Sequence, residues 1–157
     1  MKIKLITIGK TDNQNLQSLI EDYSQRLGFY VSFNFEVVPD IKNVKNLSET
    51  QQKQAEGNEI LKRLVKSDTL LLLDEKGKTY SSVQFSQFLQ KKMNSGLKTL
   101  VFVIGGPYGF SNEIYSRANG KVSLSSMTFS HQMVRLCFIE QLYRDFTILR
   151  NEPYHHR

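Results

Sequence analysis

Three groups of residues in this chain have types and spacings that could do chemistry. The first is the turn "VIGGPYGF" at 103–110, which follows directly on the apolar run "TLVFV". Gly105 lets a backbone approach a flat ligand closely or fold into a sharp turn, and residue types alone leave both readings open. The turn is neither G-x-G-x-x-G nor a Walker loop. The Lys-Ser/Thr pair and the acidic residue on a following strand are missing, which argues against dinucleotide or triphosphate binding. The second group is "LSSMTFSHQ" at 124–132. Its small residues offer backbone N–H and C=O groups, and Met127 and Phe129 offer apolar walls, which is what an adenine ring requires. The third is the C-terminal segment. His131, His155 and His156 are all 3 of the histidines, and they share this segment with Arg135, Arg144, Arg150 and Arg157. Tyrosine and histidine stack on bases and arginine holds phosphates. His131 and Arg135 stand one turn apart on a helix face. The competing reading of the tail is a solvated terminus without a role. There is no Cys/His cluster and no carboxylate pair at ligand spacing, so no metal is expected.

These groups need elements to position them. "KIKLITIG" (2–9) reads as a buried strand. Asp12 can cap a helix to about Leu27, with Leu16, Leu19, Ile20, Tyr23 and Leu27 on one face. "VSFNFEVV" (31–38) is strand-like and stops at Pro39. Residues 40–50 read as a loop, and a polar helix follows at about 48–66. "TLLLLD" (69–74) has the uninterrupted apolar character of a strand inside a parallel sheet, and it leads into the turn "EKGK". A serine-capped helix at 81–96 ends at Gly96, and 98–105 is a further buried strand. Ser111 opens a short helix to about Ala118, 121–125 is a last short strand, and Ser130 caps a long helix to about Arg150. The alternation predicts an α/β three-layer sandwich with a mostly parallel sheet, in one domain over 1–157. In such sheets ligands bind at the carboxyl ends of strands. If the strands ending at Leu73–Asp74, Gly105 and Ser125 are neighbours, their three loops share one site.

Bulk properties narrow the classes. The 157 residues carry 21 Lys+Arg against 15 Asp+Glu, a formal charge of +6. That excess suits a polyanionic partner or simply a soluble basic surface. Cys137 is the single cysteine, set among large apolar residues, and reads as a buried small hydrophobe in a reducing compartment. No apolar run reaches transmembrane length and "MKIKLITIGK" lacks a signal-peptide pattern, so a cytoplasmic protein with no membrane partner is expected. The last helix is apolar nearly all round, which implies a second buried face and predicts a homodimer through it.

Taken together, "VIGGPYGF", "LSSMTFSHQMVRLCFIEQLYRDFTILR" and the terminal "PYHHR" resemble the SPOUT family of knotted methyltransferases over the whole chain. Within it the chain is most similar to the small bacterial members that methylate N3 of a pseudouridine in 23S ribosomal RNA on the assembled 70S ribosome or large subunit. The resemblance implies a C-terminal deep trefoil knot. It also implies S-adenosyl-L-methionine held by Leu73, Gly105, Leu124, Ser125, Ser126, Met127, Thr128 and Phe129. It implies an active site formed across a dimer, in which one subunit's tail supplies Tyr154 and His155, with Arg144 beside them. Arg135 and His131 are further candidates for RNA contact. Family members usually carry proline where Ser130 stands here. Three other readings remain at this point: a SPOUT enzyme for another RNA nucleotide, a non-enzymatic RNA- or ribosome-binding factor, and a doubly wound nucleotide-binding protein.

Overall fold

A computed structural model of the chain describes residues 1–156; Arg157, named above among the tail arginines, lies outside them. In chain order the elements are β1 (Lys2–Ile8), α1 (Gln14–Gly28), β2 (Ser32–Val38), α2 (Glu49–Leu61), β3 (Thr69–Thr79), α3 (Ser82–Asn94), β4 (Thr99–Ile104), α4 (Asn112–Arg117), β5 (Gly120–Ser123) and α5 (Met133–Leu149). The strands form one sheet in the order β2-β1-β4-β3-β5, with every pairing parallel.

Side chains alternate across a strand, and here both faces are covered. Ile3, Leu5, Leu71, Leu100, Phe102 and Ile104 point to one face. There they meet Ile20 of α1, Phe85 and Leu89 of α3, and Phe138, Ile139, Leu142 and Phe146 of α5. Ile6, Leu70, Leu72, Val101 and Val103 point the other way, onto Ile60 of α2 and Ile114 of α4. The result is the expected three-layer sandwich. Phe138 meets Phe102 edge-on with ring centroids 4.8 Å apart. Burying such a ring contributes about 2–3 kcal/mol, so α5 is anchored by its contacts with the sheet. Among the described residues no helix is long and apolar enough to cross a membrane.

The structure corrects several boundaries. Asn13, not Asp12, caps α1: its Oδ1 accepts from the amides of Asn15 (2.8 Å) and Leu16 (3.1 Å). Asp12 is held elsewhere, its amide donating to Gln132 Oε1 at 2.8 Å. Helix α2 ends at Leu61. Helix α5 starts at Met133, and Ser130 accepts that residue's amide on Oγ at 3.1 Å one turn early. The "EKGK" turn is not a turn. Strand β3 runs on to Thr79 through a bulge, shifting register against β5 between Leu73 and Lys78. Gly77 makes this close pairing feasible, since a Cβ there would stand 2.6 Å from the Val122 amide nitrogen.

Candidate active site

Strands β4, β3 and β5 are adjacent, so their carboxyl ends open on one place. A cavity of about 500 Å³ lies there. Leu73, Gly105, Leu124, Ser125, Met127, Thr128 and Phe129 lie on its wall, together with His131. Ser126 does not: it is exposed at the apex of a turn closed by the Met127 amide donating to Ser125 Oγ at 2.9 Å.

The glycine turn is both sharply folded and packed close against its own Phe110. It is a tight turn, with the Gly109 amide donating to the Gly106 carbonyl at 3.2 Å and Gly109 at φ +82°. It is also a close approach: a Cβ on Gly105 would stand 3.1 Å from the Phe110 ring. The cavity has a polar side that the sequence reading missed. Asp74 lies on the wall, its Oδ2 accepting the Tyr115 hydroxyl at 2.6 Å and its Oδ1 the Lys76 amide at 2.8 Å. Burial pushes the Asp74 carboxyl up, but these bonds and nearby Lys121 outweigh it and leave the group below its usual value. Burial and the Asp74 contact push the Tyr115 phenol up to about 12, so it stays a donor. Apolar walls, small residues and one fixed carboxylate suit a ligand with an aromatic base at one end and cationic groups at the other.

The tail residues gather elsewhere. Glu140 Oε1 accepts from Arg144 at 2.6 Å and from the Tyr154 hydroxyl at 2.8 Å. Arg144 stacks over the Tyr154 ring at 4.8 Å and approaches His155 Nδ1 at 3.2 Å. Burial, with Tyr23 and Glu140, raises the Tyr154 phenol above its usual value. Arginine only donates, so Nδ1 of His155 accepts and a neutral ring carries its proton on Nε2. None of Arg144, Tyr154 and His155 lies on the wall of the 500 Å³ cavity.

Arg135 corrects an expectation. It is 2% exposed, and its guanidinium donates to the carbonyls of Ile8 (2.8 Å), Gly9 (2.8 Å) and His131 (3.1 Å) and to Thr11 Oγ1 (3.0 Å). A group consumed in this way ties α5 to the end of β1 and is not presented to RNA. His131, expected on the same helix face, lies in the turn before α5 and reaches the cavity. Cys137 is half-buried rather than enclosed. It lies on the wall of a second, larger cavity of about 710 Å³ with Leu19, Tyr23, Tyr80, Leu136 and Glu140.

A parallel α/β sandwich with a cavity among glycine and small-residue loops at three adjacent strand ends is an architecture suited to binding a small cofactor. The family profile described as predicted SPOUT methyltransferase matches residues 1–155, and the chain belongs to that family. Its methyl donor is S-adenosylmethionine, and the residues of the cavity fit that group. The chain is 73% identical over the full length of both proteins to a ribosomal RNA large subunit methyltransferase H of Flavobacterium johnsoniae. It is 71% identical, again over both full lengths, to the protein of that name in Flavobacterium psychrophilum. With the one in Parabacteroides distasonis it shares 62% over 99% of each chain.

Proposed function

We propose that this chain is one 157-residue domain that works in the cytoplasm as a homodimer and methylates N3 of a pseudouridine in 23S ribosomal RNA. Its substrate is the assembled large subunit or 70S ribosome. The relatives' printed name supports ribosomal RNA of the large subunit as the acceptor. One observation carries the composite site: Arg144, Tyr154 and His155 form a bonded cluster that lies off the cofactor cavity of its own chain. A second copy, seated on the half-exposed face of α5, would bring its tail to that cavity. Leu136 and Cys137 on α5, 45%-exposed Leu19 on α1 and the 710 Å³ groove between them offer the apolar surface a closed two-fold dimer buries. The reading includes the family's trefoil knot. In its support, residues 122–125 and 127–129 share one cavity wall with the 105–110 turn before α5 returns to the α1/α3 layer.

In this reading Leu73, Gly105, Leu124, Ser125, Met127, Thr128 and Phe129 would hold the cofactor, and Asp74 would offer a carboxylate to its cationic groups; Ser126 is left without a contact. When bound, the cofactor supplies an electrophilic methyl group. The chain's own task is to hold the acceptor nitrogen close to that group and on axis. N3 of a uracil ring carries a proton at neutral pH; that proton passes to solvent, leaving a uracil anion whose N3 lone pair takes the methyl group. Arg144 stabilises that charge. His155, with Nδ1 occupied by Arg144, donates from Nε2 to a ring carbonyl, orienting the base rather than removing its proton. Tyr154, fixed by Glu140, sets the position of the tail.

Mixing two inactive variants tests the arrangement. Gly105→Val blocks the cofactor cavity and His155→Ala disables the tail. A mixed dimer retains one intact pair, so random mixing should restore about a quarter of wild-type methyl transfer to ribosomes. No restoration, with mixed dimers demonstrated, would place cavity and tail function in the same chain.

A further inference from the structure

Helix α2 has no part in the site described above, yet it carries a group that ordinary packing does not explain. Glu56 is 4% exposed. Its Oε2 takes one long bond, 3.3 Å, from Gln52, and its Oε1 has no partner. Burying a carboxyl with a free oxygen, near the like charge of Asp40, is costly, and an apolar side chain would fill the position at no such cost. Burial also pushes this carboxyl above the usual range.

The carboxyl group faces one thing closely. A Cβ on Gly106 would stand 2.5 and 2.6 Å from the two oxygens, so Glu56 lies directly against the backbone of the cofactor turn. The next residue does the same at the turn's far end, where a Cβ on Gly57 would come within 2.5 Å of Ser111 Oγ. Ser111 is the N-cap of α4. Two consecutive residues of α2 therefore meet both ends of the segment 106–111.

We propose that Glu56 is a positioning residue for the cofactor: Gly106 rests on its carboxyl group, which fixes the height of the 105–110 turn against the 500 Å³ cavity. This rests on the reading that S-adenosylmethionine occupies that cavity. Glu56 touches no reacting atom; it acts through Gly106.

A double-mutant cycle tests it, using the full-length protein. Wild type, Glu56→Ala, Gly106→Ala and the double variant are titrated calorimetrically with S-adenosylmethionine and melted without ligand. Gly106→Ala drives a methyl group into the carboxyl, so affinity should fall about tenfold and the unliganded melting temperature should drop. Glu56→Ala removes the rest, and affinity should fall about tenfold while melting holds. The double variant should bind more tightly than Gly106→Ala and regain its melting temperature. Glu56→Gln keeps the shape and should keep affinity within about twofold. Wild-type affinity in Glu56→Ala overturns the proposal. So does a double variant whose loss is the product of the single losses, or a Glu56→Gln loss equal to that of alanine. If Glu56→Ala does not fold, Glu56→Ser takes its place in the cycle. Leu124→Arg, which fills the cavity, separates the two ideas. Wild-type affinity there removes the cavity reading and this proposal with it. Lost affinity there, beside a failed cycle, leaves the cavity standing and excludes Glu56 alone.

Discussion

Asp145 is completely buried, and neither of its carboxylate oxygens has a hydrogen-bond partner. Burial and the neighbouring Glu140 push it up to about 9, with Arg144 acting in the opposite direction. An unfolded aspartate titrates near ~4, so the folded chain holds a proton here that the unfolded chain releases. Stability therefore falls as pH rises from the unfolded value towards the folded one. Asp145→Asn, which cannot ionise, should melt above wild type at pH 8, with the gap closing towards pH 5; a constant gap in melting scans would refute the buried acid. His155 makes a different prediction. If its Nε2–H orients the base, His155→Ala should cut turnover by about a hundredfold and leave calorimetric affinity for S-adenosylmethionine unchanged. Equal loss of both would assign it to the cofactor. Candidate residues were legible in sequence where a local feature announced them: the glycine turn does line the cavity, and Tyr154 and His155 of the tail do gather with Arg144. Asp74 and Glu56 carried no such feature. Each acquires its meaning from a neighbour distant in sequence: Tyr115 for the first, Gly106 for the second.

The order of strands and helices was readable because apolar runs in β1, β3 and β4 are long and their punctuation is clear. Less readable were places where one element borrows a bond from another. The β3 bulge exists because β5 pairs beyond it, and a glycine in "EKGK" looks like a turn until that partner is known. Arg135 is the same case on a helix. In sequence it shares a face with His131 and resembles a phosphate ligand. In the fold it satisfies the last carbonyls of β1. Removing it orphans those carbonyls, so Arg135→Ala should cost about 3 kcal/mol in denaturant unfolding. Arg135→Lys should recover little of that, since an ammonium cannot reproduce the planar fork. Unchanged stability with weakened binding to ribosomes would return the residue to the surface.

At the scale of the molecule, the +6 charge and the proposed ribosomal substrate make a joint prediction. Binding to ribosomes should weaken linearly on a log–log plot against salt, by a slope of about 0.7–0.9 for each phosphate contacted, in filter-binding titrations. A flat line would mean that surface charge contributes nothing to the encounter. The proposed threading was not legible in hydrophobic pattern, which records what is buried but not the path; the proposed pairing with a second copy was read there, from a last helix apolar nearly all round. The Arg135 tether has a consequence in time. During synthesis β1 emerges well before the group that closes its end, which lies 127 residues further along. Helix α5, which covers β4 and carries Phe138, also follows all five strands. Contacts this distant in sequence form late. A nascent chain halted before α5 should leave its sheet half-covered and be cleared as an unfolded product. An abortive translation fragment that holds cofactor but lacks Tyr154 and His155 should therefore not accumulate to poison full-length partners.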